Sequence, residues 1–143
     1  MTDRSPSELE RLHEDERQIR NLVTRLAHLA DYGDLDEYMS WLTEDAVWDF
    51  VDTSIQGAAA IREDRVGRRQ QGGQGPGTHT RHVNTTLWVD VDGSDQATAH
   101  SYFLYVRGAD TSPSLGLTGR YHDTFRRTAD GWKLAHRRIV LAD

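Results

Sequence analysis

The second half of the sequence most constrains the fold. From Thr78 to Leu141 it divides into four strand-length stretches, Thr78–Asp92, Gln96–Gly108, Leu117–Arg127 and Trp132–Leu141. "VDGSDQ" and "TADGW" separate two of the pairs, and their Asp-Gly steps accept the positive φ of tight hairpin turns. "GADTSPSLG" is a looser connection. Four consecutive antiparallel strands need a hydrophobic partner on one face, and the first half of the chain supplies it. Ser5 to Asp31 reads as one long helix. Ser5 is its N-cap, Pro6 fits the first turn and Glu8 completes a capping box. Leu9, Leu12, Ile19, Leu22, Val23, Leu26 and Ala30 give it an apolar face. Gly33 is expected to end the helix in a left-handed conformation, and Asp34 to cap a short second helix, "LDEYMSWL", with the helical pair ending near Thr43. "DAVWDFV", Asp45 to Val51, reads as an early strand, "GAAAIREDRVGRRQQ" as a third helix and "GGQGPG" as a flexible loop. The expected architecture is α+β, with helices gathered on one side of a curved sheet and a hollow between them.

One domain covering 1–143 suits this length, with no internal repeat. The absence of cysteine excludes disulfides and thiolate chemistry. Seventeen basic against twenty-three acidic residues give a formal charge of −6, which argues against a nucleic-acid partner. The basic cluster "REDRVGRR" carries its own acids and reads as a solvated helix face. No apolar run reaches the ~20 residues of a membrane span. The polar, acidic start, "MTDRSPSELERLHEDE", has no signal-peptide apolar region, so a cytoplasmic protein is expected.

The long strand after the glycine loop is chemically two-sided. Alternation sets Val83, Leu87, Val89 and Val91 on one face, and His82, Asn84, Thr86 and Trp88 on the other. The second face suits the wall of a mostly apolar pocket with a few placed polar groups. His82 is either a structural strand histidine or a group suited to proton transfer near neutrality. Asp31 flanks the apolar face at the end of the first helix. Position alone leaves it either capping the turn to Asp34 or facing the hollow. His79 and His82, three apart on a strand, point to opposite faces, so no metal site is expected. No G-x-S-x-G elbow and no phosphate loop is present, which leaves acid–base chemistry or simple binding.

The runs "LADYGDLDEYMSWLTEDAVWDF", "THTRHVNTTLWVDVDG" and "GRYHDTFRRTADGWKLAHRR" resemble the SnoaL-like branch of the NTF2-like superfamily over roughly Glu16 to Val140. The resemblance implies a cone: a strongly curved, mixed, mostly antiparallel sheet around a long N-terminal helix, with two further helices. Members include scytalone dehydratase, bile acid 7α-dehydratase, steroid Δ-isomerase and polyketide cyclases. In two of these dehydratases an aspartate ending the first helix pairs with a histidine early on the long strand. Asp31 and His82 stand at those places. Scytalone dehydratase also holds water with tyrosines, whose places correspond to Ala30 and Phe50 here, and its second pocket histidine has no counterpart near Gly119 to His122. The bile acid enzyme has a tyrosine where Leu26 stands. Tyr32, Tyr102, Tyr105 and Tyr121 are the hydroxyls that remain to replace them.

The resemblance therefore implies a cofactor-independent, metal-free lyase or isomerase of dehydratase type. Its substrate is a hydrophobic, ring-containing small molecule, with His82 as base and acid and Asp31 orienting it. Trp48, Phe50, Asn84, Trp88, Tyr102 and Tyr121 are expected to contact substrate. A polyketide cyclase closing a ring by aldol chemistry would use the same pair. A non-catalytic ligand-binding or accessory subunit is the alternative from another class. A homodimer or homotrimer is expected through the outer face of the sheet.

Overall fold

The computed structural model describes residues 3–142. Helix α1 (Pro6–Tyr32) starts as its sequence dictates: the Ser5 hydroxyl accepts from the Glu8 amide, and the Glu8 carboxylate accepts from the Ser5 amide at 2.7 Å. Its buried face runs Leu12, Ile19, Leu22, Val23, Leu26, Leu29 and Ala30, whereas Leu9 is exposed. Gly33 does not take the left-handed conformation expected of it. Its φ and ψ are −90° and 177°, extended, and its requirement is steric: a Cβ there would lie 2.6 Å from Leu29 Cδ2. Asp34 caps helix α2 (Leu35–Ser40) by accepting from the Glu37 amide at 2.9 Å.

Strand β1 (Leu42–Phe50) begins earlier than its apolar run suggests. It turns through Val51, at φ 51°, into a short strand β2 (Thr53–Gln56) that the sequence pattern does not announce. Helix α3 (Ala58–Gln70) follows. It is not merely a solvated face. Ile61 and Arg65 are buried, and Arg69 donates to the carbonyls of Gly33 and Leu29 at 2.9 and 3.0 Å, closing the C-terminal end of α1. The glycine loop is likewise anchored, since Gln74 is buried.

Strands β3 (Arg81–Val91), β4 (Gln96–Arg107), β5 (Ser114–Thr128) and β6 (Gly131–Val140) complete the sheet. The strand order is β2-β1-β6-β5-β4-β3, all antiparallel except the β1–β6 pair, which is parallel. Gly93 and Gly131, at φ 91° and 100°, supply the two expected hairpin turns. This is the cone implied by the resemblance. The inner face of the sheet packs on α1, and Ile19, Val23, Leu26, Phe125, Trp132 and Leu134 lie in the core.

Two bulges decide which side chains enter the cone. In β3 the pairing moves from Thr85↔Tyr102 to Trp88↔His100, so β3 carries one residue more than its partner. Thr86 absorbs it at φ 51°. Alternation therefore changes phase within the strand: His82 and Asn84 face inward before the bulge, and Leu87, Val89 and Val91 after it. Val83 is exposed, contrary to its expected place beside Leu87. In β6 the pairing moves from Thr124↔His136 to Phe125↔Leu134, and Arg137 turns inward three residues after Leu134.

No helix among the described residues is long and apolar enough to cross a membrane.

Candidate active site

The cone is packed at one end and hollow at the other. The hollow is a cavity of 370 Å³ between the second half of α1, α3 and the inner face of the sheet. That volume falls in the range of small-molecule pockets.

Asp31 lies in the last turn of α1, 4% exposed, behind the cavity wall. Its Oδ1 is 2.6 Å from His82 Nδ1. The His82 backbone amide donates to the same carboxylate, 2.9 Å to Oδ2 and 3.1 Å to Oδ1. A carboxylate at a helix C-terminus is unfavourable against the helix dipole. Two donors from the start of β3 offset that cost and fix the strand to the helix. Because the carboxylate accepts from Nδ1–H, the ring nitrogen Nε2 carries the lone pair. Among the described residues Nε2 has no hydrogen-bond partner, and the ring itself lines the cavity. The Tyr105 ring packs against it, centroids 5.1 Å apart.

The other expected site residues divide. Trp48, Phe50, Asn84 and Tyr121 line the cavity. Trp88 and Tyr102 do not. They lie on the outer face of the sheet, 58% and 53% exposed, and Trp88 stacks on His100 with centroids 4.7 Å apart. The reason for Trp88 is the Thr86 bulge, which sends every later even-numbered residue of β3 outward. Tyr102 pairs with Thr85 and alternates with the inward Ser101 and Phe103.

The cavity's hydroxyls also sort themselves. Tyr32 is exposed and bonded to His28, and Tyr105 donates its hydroxyl to the Gly73 carbonyl. Tyr121 remains, stacked on Phe103 at 4.5 Å. Burial, helped by Tyr38 and Asp123, pushes its phenol up to about 12 against the opposing pull of Arg137 and Arg65. It is a neutral hydrogen-bond donor at any working pH. Across the stretch Gly119 to His122 no second histidine reaches the cavity. A Cβ at Gly119 would sit 2.5 Å from the Val140 carbonyl, and His122 lies on the outer face against His100.

Several lining residues were not foreseen. Tyr38 from α2 and Gln74 from the glycine loop reach the cavity, as do Arg65 and Arg137. Arg137 makes a two-pronged contact with Asp123, 2.8 Å on each arm, beneath the Tyr121 ring at 3.8 Å. Burial works against its charge, but the Asp123 carboxylate outweighs it and holds the guanidinium more firmly protonated than usual. Arg65 had a signal: it follows Ile61 by one helical turn, on the face that packs inward. Arg137 had none, because the bulge in β6 breaks the alternation that would reveal it.

The SnoaL-like domain model matches residues 11–138 of this chain. The protein belongs to the SnoaL-like domain family. This SnoaL-like protein resembles an NTF2-like protein with a cystatin-like fold from Novosphingobium aromaticivorans, at 29% identity and a TM-score of 0.83, covering 100% of this chain and 92% of that one. A Mycobacterium tuberculosis protein of unknown function is 25% identical with a TM-score of 0.75, over 87% and 74% of the two chains. A Novosphingobium aromaticivorans protein provisionally named a scytalone dehydratase shares the fold, with 19% identity and a TM-score of 0.72 over 90% and 85%. No curated protein matches the chain.

Proposed function

We propose that this SnoaL-like protein is a cofactor-independent lyase or isomerase of dehydratase type, acting on a hydrophobic, ring-containing small molecule through Asp31 and His82. One observation carries the reading. The Asp31 carboxylate holds both the ring and the backbone of His82, leaving Nε2 unpartnered at the wall of a mostly apolar cavity.

The chemistry follows from that geometry. His82 Nε2 takes a proton from a carbon next to a carbonyl. The C–H electron pair passes into the enolate, and Asp31 stabilises the imidazolium that forms. Tyr121, whose phenol burial keeps protonated and which lines the same cavity, is the donor assigned to the developing negative charge. In a dehydration the imidazolium returns its proton to a departing hydroxyl, which leaves as water. In an isomerisation it returns the proton to carbon. General acid–base help of this kind contributes roughly 10² to 10⁴ in rate. A cyclase would direct the same enolate onto a second carbonyl. A non-catalytic binding subunit is the reading that a fully active His82 variant would favour. A homodimer or homotrimer joined through the outer face of the sheet is part of this proposal, and exposed Val83, Trp88, Tyr102 and Leu115 support it.

The test starts with thermal-shift screening against steroid and polyketide intermediates, followed by turnover assays on the hits. His82→Ala is expected to lower kcat by about 10² to 10⁴ in a folded protein. Asp31→Asn should cost a similar amount or less, and the double variant little more than His82→Ala, because the two act as one unit. A folded His82→Ala protein with undiminished turnover would remove the imidazole from the mechanism.

A further inference from the structure

The charge of the cavity runs against that of the chain. The protein is formally −6, yet among the described residues Arg65, Arg68, Arg107 and Arg137 line the cavity against one carboxylate, Asp64. Two of the four are well matched. Arg137 holds Asp123 by two 2.8 Å contacts, and Arg68 Nε donates to Asp64 Oδ2 at 2.8 Å.

Arg65 is not matched. It is 8% exposed, and its nearest acid is the Asp64 oxygen already taken by Arg68, 3.4 Å from its own terminal nitrogen. Its other terminal nitrogen reaches only the neutral Gln74 amide, at 3.3 Å. Its Nε is buried with no hydrogen-bond partner among the described residues. Its guanidinium also shares the Trp48 ring with a second cation, Arg65 at 4.9 Å from the centroid and Arg137 at 5.2 Å. The indole Nε1–H of Trp48 is another buried donor without a partner among the described residues. A buried charge so thinly paired is costly, and an anion would offset the cost. The planar fork of a guanidinium matches a carboxylate in shape as well as charge. The wall beyond it is apolar and aromatic, including Leu26, Phe50, Phe103 and Tyr121.

We propose that the ligand of this cavity is an organic acid: a ring-bearing carboxylate whose anionic group is seated on Arg65, with its ring system against the aromatic wall. The proposal rests on the cavity being the substrate site, but not on any proton transfer by His82.

Isothermal titration with 2-naphthoate and its neutral relative 2-naphthamide tests it. The intact protein is expected to bind the acid about tenfold to a hundredfold more tightly, the range of one hydrogen-bonded charge. Arg65→Gln should bring the acid down to the level of the amide and leave the amide unchanged. Arg65→Lys, which keeps the charge but loses the fork, should retain part of the preference. Equal binding of the two probes, no binding of the acid, or a preference that survives Arg65→Gln would each overturn the proposal. His82→Ala separates it from the catalytic reading: that variant should lose turnover and keep the preference for the acid.

Discussion

The Asp15 cluster at the packed end of the cone and the Trp48–Arg65 wall at the hollow end treat their polar groups in opposite ways. At the packed end, Asp15 is buried against three donors: both terminal nitrogens of Arg127, at 2.9 and 2.8 Å, and the indole of Trp132, at 3.0 Å. Arg127 also covers the Trp132 ring at 4.4 Å. At the hollow end, Trp48 Nε1, Arg65 Nε and Asn84 Oδ1 are buried with no partner among the described residues. Unmade hydrogen bonds are expensive, about 1–3 kcal/mol each. The Asp15 cluster is closed by the chain's own donors, whereas the cavity wall, beside the completed Asp31–His82 and Arg137–Asp123 pairs, keeps these three atoms open. The difference separates an anchor from a binding surface: the first is finished by the chain itself, the second by what enters it.

Substitutions should expose that contrast, and the largest effect belongs to the anchor. Trp132→Ala removes a buried ring and is expected to cost about 3–5 kcal/mol in chemical denaturation. A loss below about 1 kcal/mol would mean the packed end does not depend on this ring, and the contrast would fail.

Trp132→Phe keeps one aromatic ring and deletes the donor to Asp15 together with part of the buried indole. It should cost about 1.5–3 kcal/mol, as expected for a hydrogen bond to a charged group. Acid offers a third view of the same anchor. Arg127 foremost, with Trp132, holds the Asp15 carboxyl below its usual range against the opposing effect of burial. Its folded-state pKa is therefore lower than its unfolded one, near 3.9. The stabilisation is complete above the unfolded value and is lost as pH falls through the folded value. Thermal melts from pH 7 to pH 2 should show a shallower acid-side decline for Asp15→Asn than for the parent protein. Parallel curves would leave Asp15 no share in acid unfolding.

The smallest effect is expected at the hollow end. Trp48→Phe loses the same part of a buried indole, but an N–H with no partner among the described residues, so it should cost less than Trp132→Phe by about 1 kcal/mol or more. A cost equal to that of Trp132→Phe would erase the distinction between the two ends.

The fold was legible because each of its signals is local. The Ser5 capping box, the spacing of the α1 apolar face and the Asp-Gly turns each act within a few residues. Strand β2 escaped because a four-residue strand after a turn at Val51 has too few side chains to show a period. Asp31 and His82 were found through resemblance, and their partnership depends on a contact across 51 positions that no spacing reveals. Trp88 was misplaced and Arg137 overlooked for one shared reason: a bulge lies between each of them and the residues whose alternation would have placed it. Arg65 was within reach, since it stands one turn from Ile61. Its charge had argued for solvent where the helix face argued for the interior.

The parallel pairing of β1 with β6 has a consequence for how the molecule comes into being. Phe50 lies beside Ile139, and Trp48 beside Arg137. While the chain is being synthesised, the first strand has only the short β2 to pair with until Gly131–Val140 has left the ribosome. Contacts so distant along a chain form late and slowly. The cavity, lined by Arg137 and Ile139 of β6, therefore does not close until β6 has docked. Until it closes, a nascent chain displays the aromatic lining of its own binding site to its surroundings, where exposed apolar surface invites capture by chaperones or by other copies.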